Sequence, residues 1–213
     1  MAVRNEDGEL REDIKDAISE LGNICIGNTG RMLGNMLKLR IFMSPPVVMN
    51  NGAELLESFS HDADKVAVGV LMSFKQSVES VMLFIVEKQF VIEAAATMTG
   101  EEYSDLSFMK EEDGLSAVQE LANLMAASFI NEMGSFIGEK LFLTPMMVGV
   151  DMVGALISFP VASLELSDRD VVCVDVKFSI SREARSEMTT AGHLILIHDE
   201  ANVARLVNAL GLQ

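Results

Sequence analysis

The residues of this chain best placed to do chemistry are two acid–amide pairs, Glu20 with Asn23 and Glu120 with Asn123, set one hundred residues apart in otherwise apolar stretches. Asp16 stands four residues before Glu20, and Ser116 stands four residues before Glu120. Each pair is followed by a proline, with 22 residues between Asn23 and Pro46 and 21 between Asn123 and Pro145. A carboxylate can receive a cationic group. A carboxamide is neither acid nor base near neutral pH, but it can hold a water through one donor and one acceptor. The chemistry open to such a pair is therefore positioning and charge pairing.

An α-helix advances about 100° per residue, so positions three and four apart share a face. With Glu20 as origin, Asn23, Gly27, Gly30 and Gly34 fall in one arc, opposite Ile14, Ile18, Leu21, Cys25, Met32 and Met36. In the second stretch Glu120, Asn123, Ala127 and Gly134 oppose Val118, Leu121, Met125, Phe129 and Phe136. Each helix is expected to bury its apolar stripe and to show the pair, with a row of small residues, to solvent. That row leaves room for another macromolecule to approach closely. One such pair is an ordinary solvated face. Two in register single the pattern out, although duplication by itself could carry an idle pair along.

The elements that must position these groups read as follows. A long helix spans about residues 11–39 and is stopped by Pro45-Pro46. Strands follow at 47–49, 65–74 and 80–87, then a helix at 89–98 closed by Gly100. The second half repeats the order, with a helix at 113–138, strands at 146–150, 170–181 and 192–198, and a closing helix at 200–210. It adds a short helix at 153–159. Three strands alone make a marginal sheet. The expectation is an α+β fold, internally duplicated, with a six-stranded, largely antiparallel sheet and the long helices packed on one face in pseudo-two-fold symmetry. It forms a single domain over residues 1–213, with half-repeats at about 10–105 and 106–213. Residues 1–10 are polar and expected to fray.

The chain has 16 Lys plus Arg against 32 Asp plus Glu, a net charge of −16. That field repels phosphate backbones and anionic lipid, which argues against nucleic acid and membrane surfaces and for a partner offering a basic patch or an exposed lysine. Cys25 and Cys173 fit no zinc motif and no disulfide framework, so both read as buried thiols in a reducing cytoplasm. His61, His193 and His198 are scattered without a ligand-pair spacing, and no metal site is expected. No signal peptide or membrane-spanning run is apparent, so a cytoplasmic protein, monomeric, is expected.

The doubled Asp/Ser-x-x-x-Glu-x-x-Asn, each copy followed after about 22 residues by proline, resembles the CheC family of chemotaxis phosphatases from about Leu10 to Gly211. One departure is that the second proline stands a residue closer than the first. The resemblance implies dephosphorylation of phosphorylated CheY, the response regulator that sets flagellar rotation. It assigns Asn23 and Asn123 to orienting the attacking water, and Glu20 and Glu120 to docking a receiver lysine. The chain then needs no cofactor of its own, since the Mg2+ and the phospho-aspartate belong to the partner. Asp16 and Ser116 are open between docking contacts and plain surface. The resemblance also permits an adaptor that binds the receptor deamidase CheD or the flagellar switch, with catalysis weak or absent. Asp151 would then face CheD, or else simply cap the short helix that follows it.

Overall fold

The computed structural model of the chain describes residues 2–75, 80–163, 171–181 and 188–211. Two 26-residue helices dominate it, α1 (Glu12–Leu37) and α4 (Glu112–Ile137). Neither start is capped by a side chain, but both carry acids in the first turn, Glu12 and Asp13 or Glu112 and Asp113, where the helix dipole favours negative charge. Both end on a left-handed residue whose N–H returns to the carbonyl four residues back. Gly138 takes that conformation after α4 at φ 70°, while Lys38 takes it after α1 at φ 55° without glycine's freedom.

The strands are β1 (Arg40–Met43), β2 (Val47–Met49), β3 (Val66–Lys75), β4 (Ser80–Glu87), β5 (Phe142–Leu143), β6 (Met147–Met152), β7 (Val171–Ser181) and β8 (Thr189–Asp199). They form one sheet in the order β1-β7-β8-β4-β3-β5, with β2 also on β7 and β6 also on β3. Every one of these pairings is antiparallel. The sheet thus has eight strands where six were expected. The additions, β1 and β5, are four and two residues long, too short for alternation to register. The 170–181 strand begins at Val171 among the described residues; Asp170 lies outside them.

Pairing is reciprocal across the chain. The β1/β2 arm, which follows α1, lies on β7, and the β5/β6 arm, which follows α4, lies on β3. Each arm is fastened alike, Ser44 N–H donating to Lys177 O and Thr144 N–H to Ser73 O, both at 2.8 Å. Ser44 and Thr144 thus make like contacts, and each is followed at once by a proline, Pro45 or Pro145. Counted to these prolines the one-residue discrepancy disappears, and Met146 follows Pro145 as Pro46 follows Pro45.

The sheet is covered on both faces. On one, Val68, Val70 and Phe74 of β3, Met82 and Phe84 of β4, and Val174, Val176 and Phe178 of β7 join one core with α1, α3 (Lys88–Thr99), α4 and α6 (Glu200–Ala209). On the other, Ala67, Leu83, Ile85, Cys173, Ile195 and Ile197 meet α2 (Gly52–Ser58) and α5 (Val153–Ser163). This second layer explains why the inner strands read as nearly continuous apolar runs: side chains alternate between faces, and both faces are dry. It also corrects the reading of α5 as an addition of the second half, since α2 occupies the same place in the first, its start capped by Asn51 accepting from Glu54 N–H at 2.9 Å.

The expected fraying of the N-terminus is overturned; Met1 lies outside the described residues. Val3 is 4% and Leu10 2% exposed. Between them Arg4 forms an ion pair with Glu200, donates to Gly8 O and Asn50 O at 2.9 Å, and also reaches Val171 O. A single guanidinium gathering separate carbonyls is a tertiary contact that local polarity cannot announce.

Candidate active site on the two long helices

Helix α1 lays Ile14, Ile18, Leu21, Cys25, Leu33 and Leu37 into the core. The opposite side of the helix carries Asp16, Glu20 and Asn23, all exposed. Helix α4 does the same, burying Val118, Leu121, Met125, Phe129 and Met133 and exposing Ser116, Glu120 and Asn123. Among the described residues none of Glu20, Asn23, Glu120 and Asn123 makes a side-chain hydrogen bond or ion pair. Their polar ends face water with no intramolecular competitor.

The row of small residues is not the open platform expected from the helical wheel. Only Gly27 is open. A Cβ on Gly22 would lie 2.7 Å from Pro46 Cγ, one on Gly30 3.1 Å from Met43 Cγ, and one on Gly34 2.9 Å from Leu39 O. The chain returns along its own helix, and the small residues let β1 and Pro46 lie close. In the second half a Cβ on Gly134 would likewise lie 2.5 Å from Glu139 O. The wall so formed bounds a groove of about 750 Å3 that starts at Asn23, runs over Gly27 and Gly30, and is flanked by Arg31 and Arg40. On α4, Ser116 and Glu120 border a different concavity of about 450 Å3, shared with Glu101, Tyr103 and Asp113.

The two helices pack together. Asn28 hydrogen-bonds Glu132, and Ser128 shares a groove with Met32, Asn35 and Met36, the pairing of antiparallel neighbours. Residue numbers facing each other therefore sum to about 160, which sets Asn23 level with Ile137. Asn123 lies some fourteen residues away along the axis, so the asparagines stand about 20 Å apart at 1.5 Å per residue. They form two separate sites.

Other reactive groups are ruled out by their surroundings. Burial pushes the thiols of Cys25 and Cys173 up to about 12, so neither is a thiolate nucleophile. His193 Nδ1 lies 2.9 Å from Asp175 on the face covered by α2, away from both motifs, and His198 is enclosed in the core beside Ser80. The described residues contain no cluster of three or more His, Cys, Asp or Glu fit to hold a metal ion. No described helix is long and apolar enough to cross a membrane.

Comparison with known proteins starts from the first motif. A family model described as the CheC-like family matches residues 14–49, the stretch from α1 through the Pro45-Pro46 turn to β2. The CheY-P phosphatase CheC of Bacillus subtilis (strain 168) is 25% identical over 207 residues, covering 95% of this chain and 96% of that protein. The likeness to that protein thus runs over nearly the whole chain. The flagellar motor switch phosphatase FliY of the same organism is 27% identical over 141 residues, 66% of this chain and 36% of that protein. The crystal structure of Thermotoga maritima FliY shares the fold, with a TM-score of 0.67 at 20% identity, covering 96% of this chain and 99% of the other.

Asp151 lies apart from both motifs. It is exposed on β6, paired in register with Ala67. Of the two readings left open for it, capping of α5 is not what the structure has: its carboxylate accepts from Met152 N–H at 2.8 Å, while the first amides of α5, at Val153 and Gly154, donate to Lys65 O and Ala63 O. Asp151 instead borders an apolar groove of about 420 Å3 with Leu71, Leu156 and Phe159. Around it Met147, Val150, Met152 and Phe159 are 45 to 57% exposed. Sequence reasoning singled out Asp151 but missed this apolar edge, and it missed Arg31 and Arg40 beside Asn23. Extending the wheel from Glu20 by three turns reaches Arg31, so that signal was present.

Proposed function

We propose that this chain hydrolyses the phospho-aspartate of a CheY-type response regulator, acting as a cytoplasmic monomer through two sites, Glu20/Asn23 and Glu120/Asn123. The observation that carries the reading is the pair of exposed helix faces on which a carboxylate and a carboxamide stand one turn apart with no side-chain partner among the described residues. The CheC and FliY relatives bear phosphatase names, which supports the same chemistry. Phosphoryl transfer passes through a loose transition state in which positioning and charge neutralisation supply most of the acceleration. A carboxamide inserted beside the phosphoryl group orients water for in-line attack. The water oxygen bonds to phosphorus, the aspartyl oxygen leaves, and inorganic phosphate and free aspartate result. The glutamate one turn earlier pairs with a receiver lysine and fixes the helix in register. The metal ion that neutralises the phosphoryl oxygens is carried by the receiver. Asp16 and Ser116, one turn further back, contact the same partner. The test is phosphate release from phosphorylated CheY with and without this chain; release no faster than the receiver's own decay refutes the reading.

If Glu20 and Glu120 dock a lysine, Glu20→Gln with Glu120→Gln should raise KM several-fold and alter kcat little. Added salt should weaken the native complex while leaving the Gln variant nearly indifferent, because exposed ion pairs are screened. Kinetics at several ionic strengths decide it: equal salt dependence in both proteins would make the carboxylates ordinary surface groups.

A second surface is favoured by the half-exposed apolar edge around Asp151. We propose that it receives the deamidase CheD, with Asp151 pairing a basic group at the rim. Since the carboxylate does not cap α5, Asp151→Lys should abolish CheD binding in a calorimetric titration and leave the melting temperature unchanged. Retained binding would remove Asp151 from that interface.

A further inference from the structure

The two sites carry the same motif but different charge. At a hundred-residue offset Arg31 corresponds to Asn131, Leu39 to Glu139 and Arg40 to Lys140. The first groove, which reaches Asn23, is flanked by Arg31 and Arg40 with no carboxylate in its lining. Its counterpart, about 410 Å3, sets Lys140 beside Glu139, puts Asn131 in the place of Arg31, and stops short of Asn123. The concavity that borders Glu120 adds Glu101 and Asp113. The first groove, beyond the acidic motif residues Asp16 and Glu20, is thus locally cationic, whereas the lining of its counterpart is close to neutral.

Arg31 and Arg40 are also unusual within this molecule. In a chain with twice as many acids as bases, arginines find carboxylates readily; among the described residues the partly buried Arg4 pairs with Glu200 and Arg11 with Asp13. Arg31 and Arg40 are both exposed, yet neither makes an ion pair or hydrogen bond among the described residues. Their guanidinium forks are left available along the groove that ends at Asn23. The occupant must itself be anionic. A phospho-aspartyl site supplies that chemistry: a phosphoryl group surrounded by the carboxylates that hold its divalent cation.

We propose that Arg31 and Arg40 bind the acidic rim of the phosphorylated receiver docked on Asn23, making the α1 site the higher-affinity of the two. The inference rests on the phosphatase reading and deepens it. The arginines act on association. They lie along the groove beyond the asparagine, and a rim charge changes encounter and affinity more than the reacting geometry. They also offset locally the repulsion that a chain of net charge −16 exerts on an acidic surface.

The experiment isolates each site. With Asn123→Ala leaving only the α1 site, Arg31→Asn should raise KM for phosphorylated CheY about fivefold with kcat little changed, and Arg31→Asn combined with Arg40→Gln should raise it further. The rise should shrink as salt is added. With Asn23→Ala leaving only the α4 site, Asn131→Arg should lower KM. Lys65→Gln, which removes one exposed positive charge far along the chain from either motif, should leave KM unchanged. Melting curves on all variants confirm folding, which surface changes at Arg31 and Asn131 should not disturb. An unchanged KM on losing both arginines, or an equal rise with Lys65→Gln, overturns the inference while hydrolysis stands. If neither single-site protein exceeds the receiver's own decay, the phosphatase reading fails and the inference falls with it.

Discussion

A chain carrying both Asn23→Ala and Asn123→Ala is expected to leave phosphorylated CheY decaying at its intrinsic rate, while either change alone leaves one working site. Removing a group that orients the reacting water costs on the order of a hundredfold in the rate at that site. The two asparagines lie on separate helices, about 20 Å apart along the packed pair. One cannot reach into the other's reaction, so the losses should be independent. Alanine at an exposed helix position is, if anything, a better helix former than asparagine. Among the described residues neither asparagine makes a side-chain bond that the change would break. The double variant should therefore melt no lower than the parent, which separates lost chemistry from lost fold. Full activity in a folded double variant would mean that the carboxamides are bystanders. A collapse of activity in either single variant would mean that the sites act as one.

The long helices were legible because twenty-six residues of 3.6-period patterning leave little ambiguity, and six of the strands because β-branched and apolar runs are bounded by polar breaks. What failed had a common cause. A helical wheel says which way Gly30 and Gly34 point, but the groups that meet them, Met43 and Leu39, arrive through the chain's return along α1. The inferred docking platform was in fact the seat of β1. The proline comparison failed likewise, since spacing alone chose Pro46, whereas Ser44 and Thr144, which make like hydrogen bonds, are followed at once by Pro45 and Pro145. The second helical layer was hidden because α2 has only seven residues, two of them buried. The candidate site fared better than its surroundings: the exposure of Glu20, Asn23, Glu120 and Asn123 needed only local periodicity, while the charge beside them depends on which strands come to lie there.

Stability should fall on mild acidification because of one buried histidine. His198 on β8 pairs in register with Ser80 on β4, at the seam joining the two hairpins of the sheet. It is wholly enclosed, with Nδ1 hydrogen-bonded to the Ser80 hydroxyl and the Phe74 ring edge-on at 6.3 Å. Burial in that apolar setting drives its pKa down to about 4 from 6.5, against a smaller upward pull from Asp199. The unfolded chain therefore binds a proton near pH 6.5 that the folded chain refuses until about pH 4. Between those values the unfolded state holds more protons, so stability declines as pH falls through the window. At 1.36 kcal/mol per pH unit, the 1.5 units from 6.5 to 5 amount to about 2 kcal/mol. Asp13, Asp62 and Asp105 also have lowered pKa values, from their hydrogen bonds to Arg11, Lys65 and Ser107. Their contributions fade only as pH drops through the lower carboxylate range, which leaves pH 5 to 6.5 for the histidine. Urea midpoints across that interval should decline in the parent and decline less in His198→Gln, which stays neutral and can still bond Ser80. The variant begins less stable at pH 7 and gains on the parent as acid is added. Because the seam carries the strands under both long helices, activity against the receiver should be lost with the same pH profile as the fold, and parallel midpoint curves for parent and variant would clear His198 of the effect.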